Sequence, residues 1–476
     1  MVKTIQGPIK VLLIIHNPGI TGPGNILLGT AKYLGPDFQV DVLCPEQGAL
    51  PDRLTCLGVR VIPFDFSRIN DPVYLFTLAS RLRREGYHVF HIHSGQLTAF
   101  GKLLGVAARV PVIVMTEHVM SSDHHWIKNR LALWLHLLSH RVSNAISDRT
   151  IAVSEAARLA HIKRQGVDPA SVVTIRNGID LDEVPPCPAV PASAETVVGS
   201  AGRLSTEKGL DILIEAAAIT VSRHPEARFL IAGEGPDRAS LEARVRELKL
   251  EGRMGFPGFQ GNMYPFLGEC TIYVQPSRDM FESFGLTLVE AMASAKPVVV
   301  SDIAAFREII EEGVTGLFFR PGDAKDLSGK IMLLLDDAKL REKLSCAARE
   351  AALLFDIRST AEKTGGLYKT LLATKGFVLR DRWLDRAREE LIAQVRREHD
   401  FDGDEVLARV RSEAARFLRF INGKRLTDRD ASEYLEYADD FLIELFLQAL
   451  ERGPSVDPVA RSNCRLLYRV LGARPV

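Results

Sequence analysis

The strongest constraint on this sequence is a rhythm of short apolar runs separated by helical patterns. In the first half the runs are IKVLLIIH, FQVDVLCP, VRVIPF, YHVFHIHS, PVIVMTEH, RTIAVS and SVVTIRNG. After a pause they resume as TVVGSAGRL, RFLIAGEG, RMGFPGF, TIYVQPS, PVVVS and TGLFF. Runs this short and this uniformly apolar belong to strands buried on both faces, which means parallel sheets covered by helices. The pause is EVPPCPAVPAS, Glu183–Ser193, whose four prolines make a semi-rigid joint. The expected architecture is therefore α/β, with two doubly wound domains facing an interdomain cleft. Residues 1–184 form the first domain, 185–193 the linker and 194–355 the second domain. Past Phe355 the strands stop. One helical segment covers Asp356–Ala373, within 356–375, and residues 376–476 read as a helical extension of unknown role. In that extension DEVLARVRSEAARFLRFI and DASEYLEYADDFLIELFLQAL keep apolar positions at three- and four-residue spacing, with Asp428 or Asp430 suited to cap the second.

At 476 residues the chain exceeds what one core usually serves. Lys and Arg together number 60, as do Asp and Glu, so bulk charge argues against a nucleic-acid partner. The six cysteines lack any C-x-x-C spacing and read as buried free thiols of a reducing compartment. The apolar N-terminal run is interrupted by Pro8 and Lys10 and reads as a strand. No run reaches the roughly eighteen apolar residues of a membrane span, so a cytoplasmic protein with at most peripheral membrane contact is expected.

The chemistry concentrates at strand ends, where open α/β sheets bind ligands. PSRDMFESFGLTLVEAMASAKPVVVS, Pro276–Ser301, carries Glu282 in a turn with Ser283, Phe284 and Gly285, and Glu290 on the following helix. The start of that helix, at Gly285 and Leu286, suits a phosphate, and the two carboxylates suit sugar or ribose hydroxyls. Dipole stabilisation and a solvated helix face would explain the same glutamates. Arg203 and Lys208, the latter followed by Gly209, sit where a pyrophosphate could be neutralised, although a solvated basic turn reads the same way. Gly233, Glu234 and Gly235 form a glycine turn after a strand. In HNPGITGPGN, residues 16–25, Gly19, Gly22 and Gly24 precede a helix expected near Ile26. Their G-x-x-G-x-G order is not the dinucleotide fingerprint. Histidines of HIHSG (91–95) and of TEH (116–118) end strands, and His118 is delivered straight into a polar loop. Ser154 reads as a helix cap. The segment 124–141, with Trp126 and Trp134 beside Lys128, Arg130 and Arg141, reads as a core-facing helix or a membrane-surface face.

Arg203 with Glu207-Lys208-Gly209, the GEG turn, the F-x-G of Phe256–Gly258 and the Glu282…Glu290 pair resemble the retaining glycosyltransferases of family 4. TEH, SEAAR and RNGID extend the likeness from about Lys10 to Lys375. The resemblance implies the GT-B fold of two Rossmann-like domains, the first on the acceptor side, with a last helix crossing back to it. It implies a nucleotide sugar (UDP- or GDP-hexose type) held mainly by the second domain, with no metal and no other cofactor. Arg203 and Lys208 would hold the diphosphate, Glu290 the ribose and Glu282 the transferred sugar. His118 would stand at the reaction centre, and Gly22 and Gly24 would contact donor phosphate or acceptor. Phe284, Gly285, Leu286, Gly233, Glu234 and Gly235 would line the donor. Attack on the same face, with the leaving diphosphate helping to take the acceptor proton, would need no protein nucleophile. The acceptor would be a glycan, a lipid-linked sugar or a small molecule, reached in the cytoplasm or at the inner face of the membrane. The sequence departs from the family pattern at SDIAAFREII, where Ala304 and Ala305 replace a usual Gly-Gly before Glu308. The first-domain loop also lacks a clean double glycine. A GT-B epimerase and a non-catalytic sugar-nucleotide-binding or assembly protein are the alternative readings; in either case the C-terminal helices are expected to form a hairpin or bundle used for self-association (a homo-oligomer) or for packing on the catalytic body.

Overall fold

A computed structural model of the chain describes residues 3–69, 71–93, 98–118, 146–186, 196–278 and 282–379. The chain divides into two compact units, one built on Pro8–Val378 with Met1–Lys3 and one on Thr4–Gly7 with Leu379–Val476. Most of the Pro-rich joint, the segment 124–141 and the helices expected beyond residue 379 lie outside the described residues.

The first unit holds two parallel sheets. Among the described residues the first has seven strands: β1 (Ile9–Ile14), β2 (Phe38–Cys44), β3 (Arg60–Pro63), β4 (Val89–Ile92), β5 (Val112–Glu117), β6 (Arg149–Ala152) and β7 (Val172–Thr174). Their spatial order is β3-β2-β1-β4-β5-β6-β7. The second has six: β8 (Val197–Ala201), β9 (Arg228–Ala232), β10 (Met254–Gly258), β11 (Ile272–Gln275), β12 (Val298–Ser301) and β13 (Leu317–Phe319). Their order is β10-β9-β8-β11-β12-β13. Both sheets thus reverse direction beside their first strand, between β1 and β4 and between β8 and β11, and a crevice opens at such a reversal. The apolar runs earn these central places because both faces are covered: Val11, Leu12 and Leu13 are fully buried, as are Val298, Val299 and Val300.

A single apolar cluster continues from Ala152, Val153 and Ile179 of the first domain to Phe284, Met292, Phe306 and Phe355. Each of the larger side chains among these (Val, Ile, Met, Phe) contributes roughly 1.5–3 kcal/mol on burial. Helix α1 (Gly22–Tyr33) follows β1, α2 (Glu155–Gln165) follows β6 and α3 (Leu286–Ala293) follows β11. The long helix α4 (Ile357–Thr374) starts at Asp356, whose carboxylate accepts from the Arg358 amide at 2.8 Å. It lies on the first domain: Thr360 Oγ1 donates to Arg176 O at 2.8 Å, and Lys369 pairs with Asp37 at 2.7 Å. It meets α1 so closely that a Cβ on Gly29 would stand 2.2 Å from Ile357 Cγ1.

Two sequence expectations need correction. Helix α1 begins at Gly22, not near Ile26, because Thr21 takes the extended N-cap conformation and Pro23 presets the first-turn φ. The cysteines are not uniformly buried either. Cys44 and Cys270 are, but Cys56 and Cys346 sit on outer helix faces and are exposed.

The α1–α4 contact yields a direct test. Gly29→Val should lower the thermal midpoint, through overpacking of roughly 1–3 kcal/mol. An unchanged midpoint in thermal denaturation would show that α4 does not press on α1 at this point.

Candidate active site

The two reversals bring the polar strand ends of both sheets to one cleft. On the second-domain side, β11 runs into Gln275, Pro276 and Ser277, and β8 runs into Gly202, Arg203 and Leu204. A line of buried hydrogen bonds stiffens this face. Tyr273 donates to Gln275 Oε1 at 2.8 Å, Gln275 Nε2 to Ser277 Oγ at 3.1 Å, and Ser277 to Glu282 Oε2 at 2.7 Å. The same carboxylate oxygen takes the Lys208 ammonium at 2.8 Å. Glu282 is only 6% exposed, so its charge depends on that partner. Arg203 is exposed beside them and forms no ion pair among the described residues.

The loop at Gly233–Gly235 lies directly on the Arg203 loop. Leu204 donates to Glu234 O at 3.0 Å, and a Cβ on Gly233 would fall 1.9 Å from Gly202 O. Gly233 and Gly235 are therefore required by loop-on-loop packing, and the exposed Glu234 carboxylate is held by Arg238. Gly285, at φ +100°, is the left-handed N-cap of α3, and no side chain caps that helix start. Its N-terminus stays available to an anion. Phe284 is a correction: its ring is 1% exposed and packs edge-on against Phe355 at 5.7 Å, so it is core and can offer a donor only backbone. Ala304 is exposed while Ala305 and Phe306 are buried, and Arg307 is clamped by Asp302 at 2.6 Å.

From the first domain, the α1 start reaches α3. A Cβ on Gly22 would lie 3.3 Å from Leu286 Cδ1, whereas Gly24 is packed inward against Gly19 O. His118, at the end of β5, is drawn in by its own carbonyl, which accepts from Ser283 Oγ at 2.6 Å. The Ser283 carbonyl in turn accepts from Ser154 Oγ at 2.5 Å, while Ser154 caps α2. Sequence reasoning named Ser154 and Ser283 but missed that they join the domains. It named Glu308 but missed its contact: the carboxylate accepts from the Ala156 and Glu155 amides at 2.7 and 3.1 Å. Gln275 and Ser277 carried a signal, being polar residues at the end of an apolar run.

Burial dominates the electrostatics. It pushes Glu290 up to about 8, helped by the nearby Glu183 carboxylate. Behind β5, burial lowers Lys102 to about 8 and raises Glu117 to about 7, each moderated by the other's charge. The one sequence hint of that buried pair was a lysine inside the apolar helix Thr98–Ala107.

The family model of the glycosyltransferase family 4 domain matches residues 20–183, and that of the glycosyl transferases group 1 matches residues 189–351. The chain belongs to the GT-B glycosyltransferases of family 4. This glycosyltransferase is 23% identical over 392 residues to the UDP-Gal:alpha-D-GlcNAc-diphosphoundecaprenol alpha-1,3-galactosyltransferase of Escherichia coli, covering 78% of this chain and all of that protein. It is 27% identical over 353 residues to the phosphatidyl-myo-inositol mannosyltransferase of Mycobacterium leprae, covering 71% of this chain and 89% of that one. Among solved structures, Anabaena HepE in complex with UDP and glucose superposes with a TM-score of 0.66 at 23% identity. That match covers 76% of this chain and 100% of HepE. The sucrose-phosphate synthase of Thermosynechococcus elongatus gives 0.59 at 20% identity, over 77% and 99% of the two chains. These likenesses establish the fold.

The raised Glu290 pKa makes a signed prediction. Below about 4.5 this carboxyl is protonated in both folded and unfolded chains and contributes no pH dependence. Between there and about 8 the unfolded chain binds fewer protons than the folded one, so stability falls as pH rises. Glu290→Gln should therefore match the parent near pH 4.5 and exceed its thermal midpoint at pH 8. Parallel midpoint–pH curves would contradict a buried, protonated Glu290.

Proposed function

We propose that this glycosyltransferase moves a hexose from a UDP- or GDP-sugar to a lipid-linked or glycan acceptor, with retention of anomeric configuration and without a metal. The observation that carries this reading is the Lys208–Glu282 pair at the strand reversal, beside an exposed Arg203 and the side-chain-free start of α3. The three positive elements would offset charge as the diphosphate leaves, the part a metal would otherwise supply. Glu282, held by Ser277 and Lys208, would accept from hydroxyls of the transferred sugar. Glu290, four residues into α3, would address the ribose, and as a protonated acid it can both donate and accept. His118 would face the sugar from the first domain.

No protein nucleophile is needed if the departing diphosphate takes up the acceptor proton on the face it leaves. Closure over the donor would exclude water and suppress its hydrolysis. The acceptor class rests on relatives: the names of the E. coli and M. leprae proteins specify a diphosphoundecaprenol-linked sugar and phosphatidyl-myo-inositol. Among the described residues no helix is long and apolar enough to cross a membrane, and action at the inner membrane face fits a lipid-linked acceptor.

Arg203→Ala tests the clamp with little risk to folding, since the side chain is exposed and forms no ion pair among the described residues. Calorimetric titration with UDP and GDP should show roughly tenfold weaker binding of the preferred diphosphate, for loss of a charge-assisted hydrogen bond of about 1.5 kcal/mol, with an unchanged thermal midpoint. Undiminished affinity would remove Arg203 from the donor site.

A further inference from the structure

His93 ends β4 as His118 ends β5, and the two rings lie side by side. Their centroids are 5.3 Å apart with planes inclined by 27°, and His93 Nδ1 is 3.1 Å from His118 Nε2. His93 is 2% exposed, and its other nitrogen, Nε2, is buried with no hydrogen-bond partner among the described residues. The neighbouring His91 cannot supply one, because its nitrogens are taken by the Tyr368 hydroxyl and by Thr116 Oγ1.

Burial keeps both rings neutral: it lowers His118 to about 3 and His93 well below its ordinary value, where charge on His91 or His118 would add repulsion. One proton therefore lies on each ring, and two arrangements satisfy the 3.1 Å contact. If His118 Nε2 were the donor, the His93 proton would sit on Nε2 as a buried N–H without an acceptor. If His93 Nδ1 is the donor, only a lone pair on Nε2 goes unmatched. Orphaned buried N–H groups are the rarer and costlier fault.

We propose that His93 is a positioning residue which donates Nδ1–H to His118 Nε2 and thereby fixes the His118 proton on Nδ1. His118 Nδ1 has no partner among the described residues, and His118 is partly exposed. With its backbone tied to Ser283 and its Nε2 tied to His93, His118 presents a hydrogen-bond donor to the cleft and not a base. Its counterpart is an oxygen acceptor, such as a sugar hydroxyl or ring oxygen. That substrate identity rests on the transferase reading; the protonation pattern does not.

The test is long-range 1H–15N correlation on the full chain labelled at histidine nitrogen, with His118 signals identified by their loss in His118→Gln. Between pH 6 and 8, His118 should show a protonated Nδ1 and an unprotonated Nε2. His93→Asn, whose amide nitrogen falls near the position of Nδ1, should keep that pattern. His93→Leu should let His118 move to a mixture of tautomers, and should lower transfer kcat roughly tenfold with diphosphate affinity unchanged. A proton on His118 Nε2 in the parent protein, or an unaltered pattern in folded His93→Leu, would overturn the proposal. Should His93→Leu not fold, the parent spectrum and His93→Asn decide alone. If the transferase reading fails instead, no transfer is seen while the expected tautomer remains.

Discussion

A charge that water cannot reach must be matched inside the protein, and on the ligand face of the second domain that charge is Glu282. Its partners arrive from two directions, Lys208 from the loop after β8 and Ser277 from the end of β11. Removing Lys208 from a carboxylate this buried would leave an uncompensated ion, which costs more than the pair itself contributes, while removing Ser277 would cost one hydrogen bond. The pair therefore locks the relative positions of two loops that flank the strand reversal. The line back through Gln275 to Tyr273 anchors it in the sheet. Geometry demanded by one salt bridge thus fixes where a diphosphate and a sugar could be recognised.

The second constraint is the set of bonds between domains. Ser154 accepts from its own helix and donates across to the Ser283 carbonyl, and Ser283 donates to the His118 carbonyl. Glu308 supplies a carboxylate to the start of α2, where the helix dipole favours it. Few of these contacts involve large surfaces, but each satisfies a backbone group that would otherwise face the cleft. They couple Ser283, the residue after Glu282, to His118 of the first domain.

Much of the fold was legible because its cause is local and repetitive. Strands buried on both faces leave continuous apolar runs, and both the parallel sheets and their polar ends follow from that. The Glu282–Glu290 stretch, Arg203 and Lys208 drew notice for a related reason, since they cluster in and after the loops that follow apolar strands. What escaped depends on tertiary contact. Phe284 sits between Ser283 and Gly285 in a polar turn, and nothing in that turn says that its ring folds back onto Phe355. The glycines of the GEG turn read as ligand contacts, whereas their absent side chains make room for the Gly202 and Leu204 carbonyls. Glu308 marked the place where the family pattern is altered, and its role exists only once α2 is beside it.

The proposed nucleotide-sugar site draws its positive charge from protein alone. The most direct measurement is a thermal shift of the full chain in excess chelator, against a panel of nucleoside diphosphates and their sugars. One base should stand out, and a ligand at 100 times its dissociation constant should add roughly 2.7 kcal/mol. Stabilisation by no nucleotide, or only when a divalent cation is restored, would contradict it.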